Sequence, residues 1–517
     1  MTDNHRDISA LMKPRRLLNG TVTYSAAKES EANVLHELGY WDQQTEFLTY
    51  LYHNRDLIKS IVAQHIGTAA KNIHITEPDQ WMRGSFNICI LVNFDVDVPG
   101  QSKQLIIRFP LPYRIGDIHY PGNADEKIMC EAGTYAWLQT NCPDVAIPYL
   151  YGFGLRSGKT FTSLDNRPFF PRLLEKFRRR ILQWLGYAIP SYYIPLSSIS
   201  SLSTGYLLIE YIEPCRGRML SKSWGEGRHD PKLRKNLFHS LSRTLLALAR
   251  TPLPKIGSFI LDEGGYLQLE NRPLTLQIQQ LENEQIPVDI PRDWTYTSVD
   301  SYIHSILSFH ENRLRYQSNS VQNFGDGMYQ TSALTMMRST WPCYFEHKFL
   351  RGPFFLTLTD IHPSNIFVDD EWNIQCFIDL EWACSRPLEM IHPPYWLSDQ
   401  AIDMVDMKDY EILHKEFMTA LKIEETALSS APFLYHAMQQ GWDKGTFWFS
   451  LALNSPTALF KIFYDYIQPR FSKADSGDTK FWVVTAPYWS FDALKFIDKK
   501  LNDKEQYDIA LQEEFKL

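Results

Sequence analysis

At 517 residues the chain is too long for one typical core and suits two or three packed units. Apolar residues supply 44% and charged residues 22%, ordinary globular usage that excludes wholesale disorder. The formal net charge of −8 gives no basic footprint for a nucleic acid, and no run of about 18 apolar residues predicts a spanning helix.

The seven cysteines (Cys89, Cys130, Cys142, Cys215, Cys343, Cys376 and Cys384) are odd in number, scattered, and without a CxxC pair. That pattern argues against a disulfide framework or a zinc site and predicts reduced thiols in a cytoplasmic protein. The opening MTDNHRDISALMKPRRLLNG lacks the apolar core of a signal peptide.

Residues 1–35 are polar and weakly patterned, which predicts a loose arm. From Trp41 to Ile66 apolar residues recur at helical spacing, predicting one or two helices. Ile73 to Val96 reads as strands around the turn RGSFN, and QLIIRF (Gln104 to Phe109) as the next strand, ended by Pro110 and Pro112. Asp125 to Gln139 has helical character. Ile147 to Gly154 and Tyr206 to Ile212 are two further predicted strands. Between them, Arg156 to Ser203 breaks the rhythm with Lys176, Arg178, Arg179 and Arg180 set beside Ile181, Leu182, Trp184 and Leu185. The commoner outcome of such a pattern is an insertion helix laying its apolar side on the body. The alternative is a surface helix that touches a membrane or a partner near Arg178.

Leu233 to Arg250 is predicted as an amphipathic helix stopped by Pro252 and Pro254. Ser258 to Leu269 reads as a hairpin across Glu263-Gly264-Gly265. Ser298 to Arg315 and Ser332 to Trp341 are helical, and the chain beyond about residue 390 is mostly helical. Strands first and helices later predict an α+β protein with two lobes, a small mixed N-terminal one and a larger, mainly helical C-terminal one.

The most informative stretch runs from Leu356 to Met390, LTLTDIHPSNIFVDDEWNIQCFIDLEWACSRPLEM. Asp360 follows an apolar strand pattern, Asn365 comes five residues later, and Asp379 lies beyond a hairpin whose turn is Asp369 to Asn373. One carboxylate can accept a hydroxyl proton, while an amide oxygen and a second carboxylate suit Mg²⁺ against a nucleotide triphosphate. That combination points to phosphoryl transfer. Glu381 either assists the metal or braces the loop. His362 fits a structural hydrogen-bonder better than a base. The large aromatics Trp382, Trp396, Trp442, Trp448 and Trp489 are expected in the core.

These segments resemble the aminoglycoside phosphotransferase (phosphotransferase enzyme) family, of protein-kinase-like fold. More narrowly, the chain is similar to the fungal branch of that family. The resemblance runs from about Trp41 to Phe471 and rests on YLYHNRDLIKSIVAQHIG, RGSFN, LIIRFPLPYRIG, EAGTYAWLQ, the Leu356–Met390 stretch and GTFWFSLALNSPTALFKIFYDYIQPRF. It implies ATP and Mg²⁺ as cofactors and a small-molecule hydroxyl acceptor. It implies Asp360 as the catalytic carboxylate and Asn365 and Asp379 as metal ligands. Gly84, Ser85, Phe86 and Asn87 fall at the nucleotide-covering turn, and Arg108 at the phosphate-binding cation, anchored by Glu131. Glu210 to Ile212 falls at the hinge that reads the adenine. The implied organisation is an arm (1–40), a nucleotide lobe (41–213, insertion about 156–203) and an acceptor lobe (214–517).

Three positions depart from the family pattern. Leu358 stands where a histidine is frequent, Arg108 where lysine is usual, and the nucleotide turn holds one glycine. They motivate the alternative of a catalytically weak, kinase-like nucleotide-binding or scaffold protein. Adenylyl transfer on the same fold is a third reading.

Overall fold

The computed structural model describes residues 12–95, 104–197, 202–428, 433–472 and 477–516. Val96, at the end of a predicted strand segment, and residues 1–11 of the predicted arm lie outside them.

The N-terminal lobe is built on an antiparallel sheet. Its strands run, in spatial order, Ile73–Ile75, Asn87–Phe94, Gln104–Pro110, Tyr206–Glu210, Leu150–Gly154, Thr160–Ser163 and Tyr193–Leu196, with Met82–Arg83 paired to the second. Strand alternation separates two environments. Leu105, Ile107 and Phe109 point into the lobe's own core, with Ile88, Ile90 and Val92 from the neighbouring strand. Ile106 and Arg108 face the other way, and Ile106 packs against the main core, which runs from this lobe into the second.

The segment 156–203 belongs to this sheet more than its broken rhythm suggests. Thr160–Ser163 pairs with Tyr193–Leu196, which forms the sheet edge, Ser163 opposite Tyr193. The signal was weak because TFTS is largely polar and YIPL carries Pro195, which an edge tolerates. Helix Phe169–Trp184 connects them, and its apolar side does not lie on the body, because no residue of it is buried.

Tyr40–His53 and Arg55–Ile66 are the two helices expected from Trp41 onward. Residues 12–38 are not a loose arm. Val34 N–H donates to the Tyr507 hydroxyl at 3.0 Å, and Ala27 and Val34 pack with Leu511 and Phe515 of the final helix Ala493–Phe515. Short apolar contacts of this kind leave no periodic trace in a segment otherwise polar.

Helix Asn123–Asn141 lies between the lobes. Gly133 lets it meet strand Ser258–Leu261 closely, since a Cβ there would sit 2.3 Å from the Phe259 carbonyl oxygen. A buried ion cluster fixes the same helix. Arg272 reaches Glu126 at 2.8 Å and Glu282 at 2.7 Å, and Asn271 donates to Glu126 at 2.9 Å.

The C-terminal lobe is mainly helical. Pro231–Leu248, Val299–Tyr316, Phe324–Thr340, Met407–Leu428 and Thr446–Leu453 surround three short antiparallel sheets among the described residues. Phe324–Thr340 starts earlier than the predicted Ser332. The two glycines of its first turn mask the periodicity, while Asn323 caps the Asp326 N–H. The α+β, two-lobed architecture read from the sequence is the one present. All seven cysteines are free.

Candidate active site

Two ladders converge on the motif. Strand Phe354–Leu358 pairs with Ala383–Pro387, Leu358 opposite Ala383. Just past the end of that ladder one chain carries Asp360 and the other Glu381, and Thr359 Oγ1 donates to the Trp382 carbonyl at 2.5 Å. A single 3₁₀ turn, Pro363–Asn365, leads into the hairpin Ile366–Val368 and Ile374–Phe377. The hairpin returns the chain to its start, where Ile378 N–H donates to the Asn365 carbonyl at 3.0 Å. Asp379 therefore follows directly beside Asn365. Its backbone takes the left-handed conformation, φ 63°, which re-aims the side chain as the strand ends.

Asn365 Nδ2 donates to both the backbone carbonyl of Asp360, at 3.0 Å, and its Oδ2, at 3.2 Å. Burial and then the Glu381 charge push the Asp360 carboxyl up to about 7, against the pull of the Asn365 hydrogen bond.

Behind these residues lies a charge cluster. Arg108, 4% exposed, donates from Nη1 to Asp379 Oδ1 at 2.9 Å and from Nη2 to Glu131, and stands 3.7 Å from Glu381. Lys127, 1% exposed, donates to Asn87 Oδ1 at 2.7 Å and to Glu381, and its ammonium lies 5.4 Å from the centre of the Trp382 ring. Asn87 Nδ2 completes the cluster with a 2.8 Å bond to Glu381. Sequence reasoning missed Lys127. Its signal was available: it stands four residues before Glu131, on the same helical face.

The cluster is short of positive charge. Asp379, Glu131 and Glu381 crowd around Arg108 and Lys127, with Asp360 near Glu381. Burial, with Glu381 nearby, holds the Asp379 carboxyl well above its ordinary range despite Arg108, and burial likewise raises Glu131. Burial would raise Glu381 too, but Lys127 and Arg108 outweigh it and keep that group ionised. Glu381 thus braces Lys127 and Asn87.

The other sequence-predicted residues are dispersed around this centre. Gly84 and Ser85 are exposed at the turn, whose Gly84 N–H donates to the Asn87 carbonyl at 2.9 Å, and Arg114 Nε holds the Ser85 carbonyl at 3.0 Å. Phe86 meets Trp382 edge-on at 5.6 Å. Asn87 is buried in the cluster and does not line an open turn. Glu210 accepts from Tyr149 N–H at 3.0 Å and pairs with Arg216, and Ile212 is buried just beyond the strand end. His362 caps the 3₁₀ turn, and burial lowers its pKa.

On the other side of Asp360 opens a cavity of about 360 Å³. Leu241, Leu245, Leu281, Ile391, Trp396 and Ile402 contribute apolar wall, and Glu284, Arg313, Arg386 and Asn454 are among its polar points. Arg386 Nη2 donates to Asn454 Oδ1 at 2.6 Å, and its Nε lacks a protein partner. Trp396 is thus a wall residue as well as core. Its Nε1 donates to the Ile361 carbonyl at 2.5 Å, which fixes the loop that carries Asp360.

Among the described residues no group of three or more His, Cys, Asp or Glu is arranged as a metal cage. The oxygen-only pair Asn365 and Asp379, set in a surplus of carboxylates, fits a hard divalent cation that takes its other ligands from water and phosphate.

No protein-family model and no curated protein matches the sequence. Solved structures do. An ethanolamine kinase of Plasmodium vivax matches at 13% identity, over 81% of this chain and 84% of that chain, with a TM-score of 0.34. A type I macrolide 2'-phosphotransferase matches at 10% identity, over 81% and 90%, with a TM-score of 0.30.

Proposed function

We propose that the protein is an ATP- and Mg²⁺-dependent phosphotransferase acting on a hydroxyl of a small molecule, a kinase of the aminoglycoside-phosphotransferase type. The observation that carries this reading is the position of Asp360. It borders a mostly apolar cavity on one side and an acidic, cation-poor cluster holding Asp379 on the other. In this reading residues 41–213 bind nucleotide and 214–517 bind the acceptor. Asp360 accepts the proton of the acceptor hydroxyl as the oxygen attacks the γ-phosphorus, the bond to the β,γ-bridging oxygen breaks and ADP leaves. Asn365 and Asp379 hold Mg²⁺, which supplies charge neutralisation at the phosphates when bound. Asn365 also orients Asp360 through the 3.2 Å bond to Oδ2. Arg108 and Glu131 position Asp379, and the backbone from Glu210 to Ile212 reads the adenine. The apolar wall favours an acceptor with an apolar body that presents one hydroxyl to Asp360.

Incubation with γ-labelled ATP and a metabolite library containing amphipathic alcohols tests the reaction. Label transfer by the wild type, reduced by about 10²–10⁴ in Asp360→Asn with ATP binding intact, is the expected result. An Asp360→Asn variant as active as wild type sinks the mechanism, and a product heavier by AMP moves it to adenylyl transfer.

One observation favours the second reading, a catalytically weak nucleotide binder. Both Nη groups of Arg108 are engaged by carboxylates, Asp379 among them, where a phosphate-binding cation would be wanted. Thermal stabilisation by ATP that needs Mg²⁺ supports the enzyme, and no stabilisation supports the scaffold.

A further inference from the structure

Helix Phe169–Trp184 is oriented with its polar side inward. Its sequence, FFPRLLEKFRRRILQW, sorts into an apolar face and a polar face at helical spacing. In an ordinary surface helix the apolar face would be buried. Here the polar face is the one held. Arg179 donates to the Pro190 carbonyl at 2.7 Å and to that of Ser191, and its guanidinium stacks on Tyr192 at 4.7 Å. Glu175 pairs with Arg179 at 3.7 Å, and both side chains are largely covered. Lys176 reaches Asp165 at 3.5 Å. The apolar face points to solvent, with Phe170 75%, Leu174 69% and Trp184 85% exposed. The helix, about 24 Å long, joins edge strand Tyr193–Leu196 to its neighbour Thr160–Ser163 and turns this face away from the sheet.

A wholly exposed apolar stripe this long needs a partner, and charge identifies its chemistry. The helix has five basic residues and one acidic residue on a protein whose net charge is −8. Arg178 and Arg180 flank the stripe and are exposed, so their long stems can lie along an apolar phase while the charges reach an anionic rim. Trp184 sits at the end, the residue type that favours a membrane–water interface. Pairing of two copies through this face would bring the basic flanks against each other. Among the described residues no helix is long and apolar enough to cross a membrane, so the contact is with a surface.

We infer that helix Phe169–Trp184 is an interfacial anchor that lays its apolar face into the headgroup region of an anionic phospholipid membrane. The test is flotation of the full chain with vesicles of phosphatidylcholine alone or with added phosphatidylserine. Binding to the anionic vesicles, weakened by salt, is expected. The pair Phe177→Glu and Trp184→Glu reduces it at least about tenfold without changing the melting curve. The pair Arg178→Glu and Arg180→Glu abolishes the preference for phosphatidylserine while leaving the apolar face intact. The proposal is overturned if the full chain floats with neither vesicle, or if Phe177→Glu/Trp184→Glu floats like wild type. It is equally overturned if that variant disperses a dimer and the wild type ignores lipid.

Discussion

Arg108 and Asp379, 271 positions apart, are joined by a 2.9 Å hydrogen bond that closes the charge cluster from the strand side. The same guanidinium holds Glu131, so one cation neutralises parts of two carboxylates, Glu131 buried and Asp379 half-buried. Its planar fork makes this feasible, and a single ammonium cannot reproduce it. Arg108→Met leaves Glu131 buried and unpaired. We expect a loss of about 3–5 kcal/mol in denaturant unfolding. Arg108→Lys keeps the charge and loses part of the bridge, giving a smaller loss. Equal stability of wild type and Arg108→Met shows the bridge to be dispensable.

The raised Asp360 carboxyl sets a pH dependence. A base must be ionised to accept a proton, so kcat/KM falls about tenfold per pH unit below the value of about 7. Fold stability runs in the opposite sense. A carboxyl raised in the folded state favours folding while it is protonated, and that contribution is lost as pH rises towards 7. Asp360→Asn removes this loss. The stability difference between the two proteins should widen from pH 5 to about pH 7 and stay level from there to pH 8, and a constant difference throughout contradicts the assignment.

Much of this was legible in the chain, for identifiable reasons. Strand Gln104–Pro110 and the hairpin around Asp369 to Asn373 carry strong alternation and turn chemistry, so Arg108, Asn365 and Asp379 could be placed on their elements. Lys127 leaves only a local trace, its four-residue spacing to Glu131. A lysine in a helix reads as solvent-facing, and only the antiparallel register that sets Glu381 opposite Asp360 shows why this one is buried. Asn87 was assigned to an open turn for the same reason, since its partners Lys127 and Glu381 lie 40 and 294 positions away. The inverted helix Phe169–Trp184 shows the converse limit. Periodicity announces an amphipathic helix but does not say which face the body holds, and that choice rests on Arg179 and the carbonyls of Pro190 and Ser191.

Helix Asn123–Asn141 is expected to be rigid, because two separate features pin it. Arg272→Ala leaves Glu282 buried without a cation and Glu126 with Arg292 alone, at 3.2 Å, with an expected loss of about 3–5 kcal/mol. Gly133→Ala drives a methyl against the Phe259 carbonyl at 2.3 Å, a backbone obstacle that cannot rotate away. Both should lower the melting temperature and increase hydrogen exchange along the helix. A Gly133→Ala protein as stable as wild type shows that the helix can shift, against this view.

Glu381 is the charge that most raises Asp360 after burial itself. Glu381→Gln removes that charge but keeps the shape, and its amide oxygen can still accept from Lys127 and Asn87. With the repulsion gone, Asp360 ionises more easily, so the acid limb of kcat/KM moves to lower pH. Lys127→Met acts the other way. It leaves the Glu381 charge unbalanced and moves the limb to higher pH, in a less stable protein. A purely structural role for Glu381 predicts a lower rate at every pH with the limb fixed in place. Opposite displacements for the two variants therefore identify Glu381 as the group that sets the Asp360 ionisation, and a limb unmoved in both shows that desolvation alone does so.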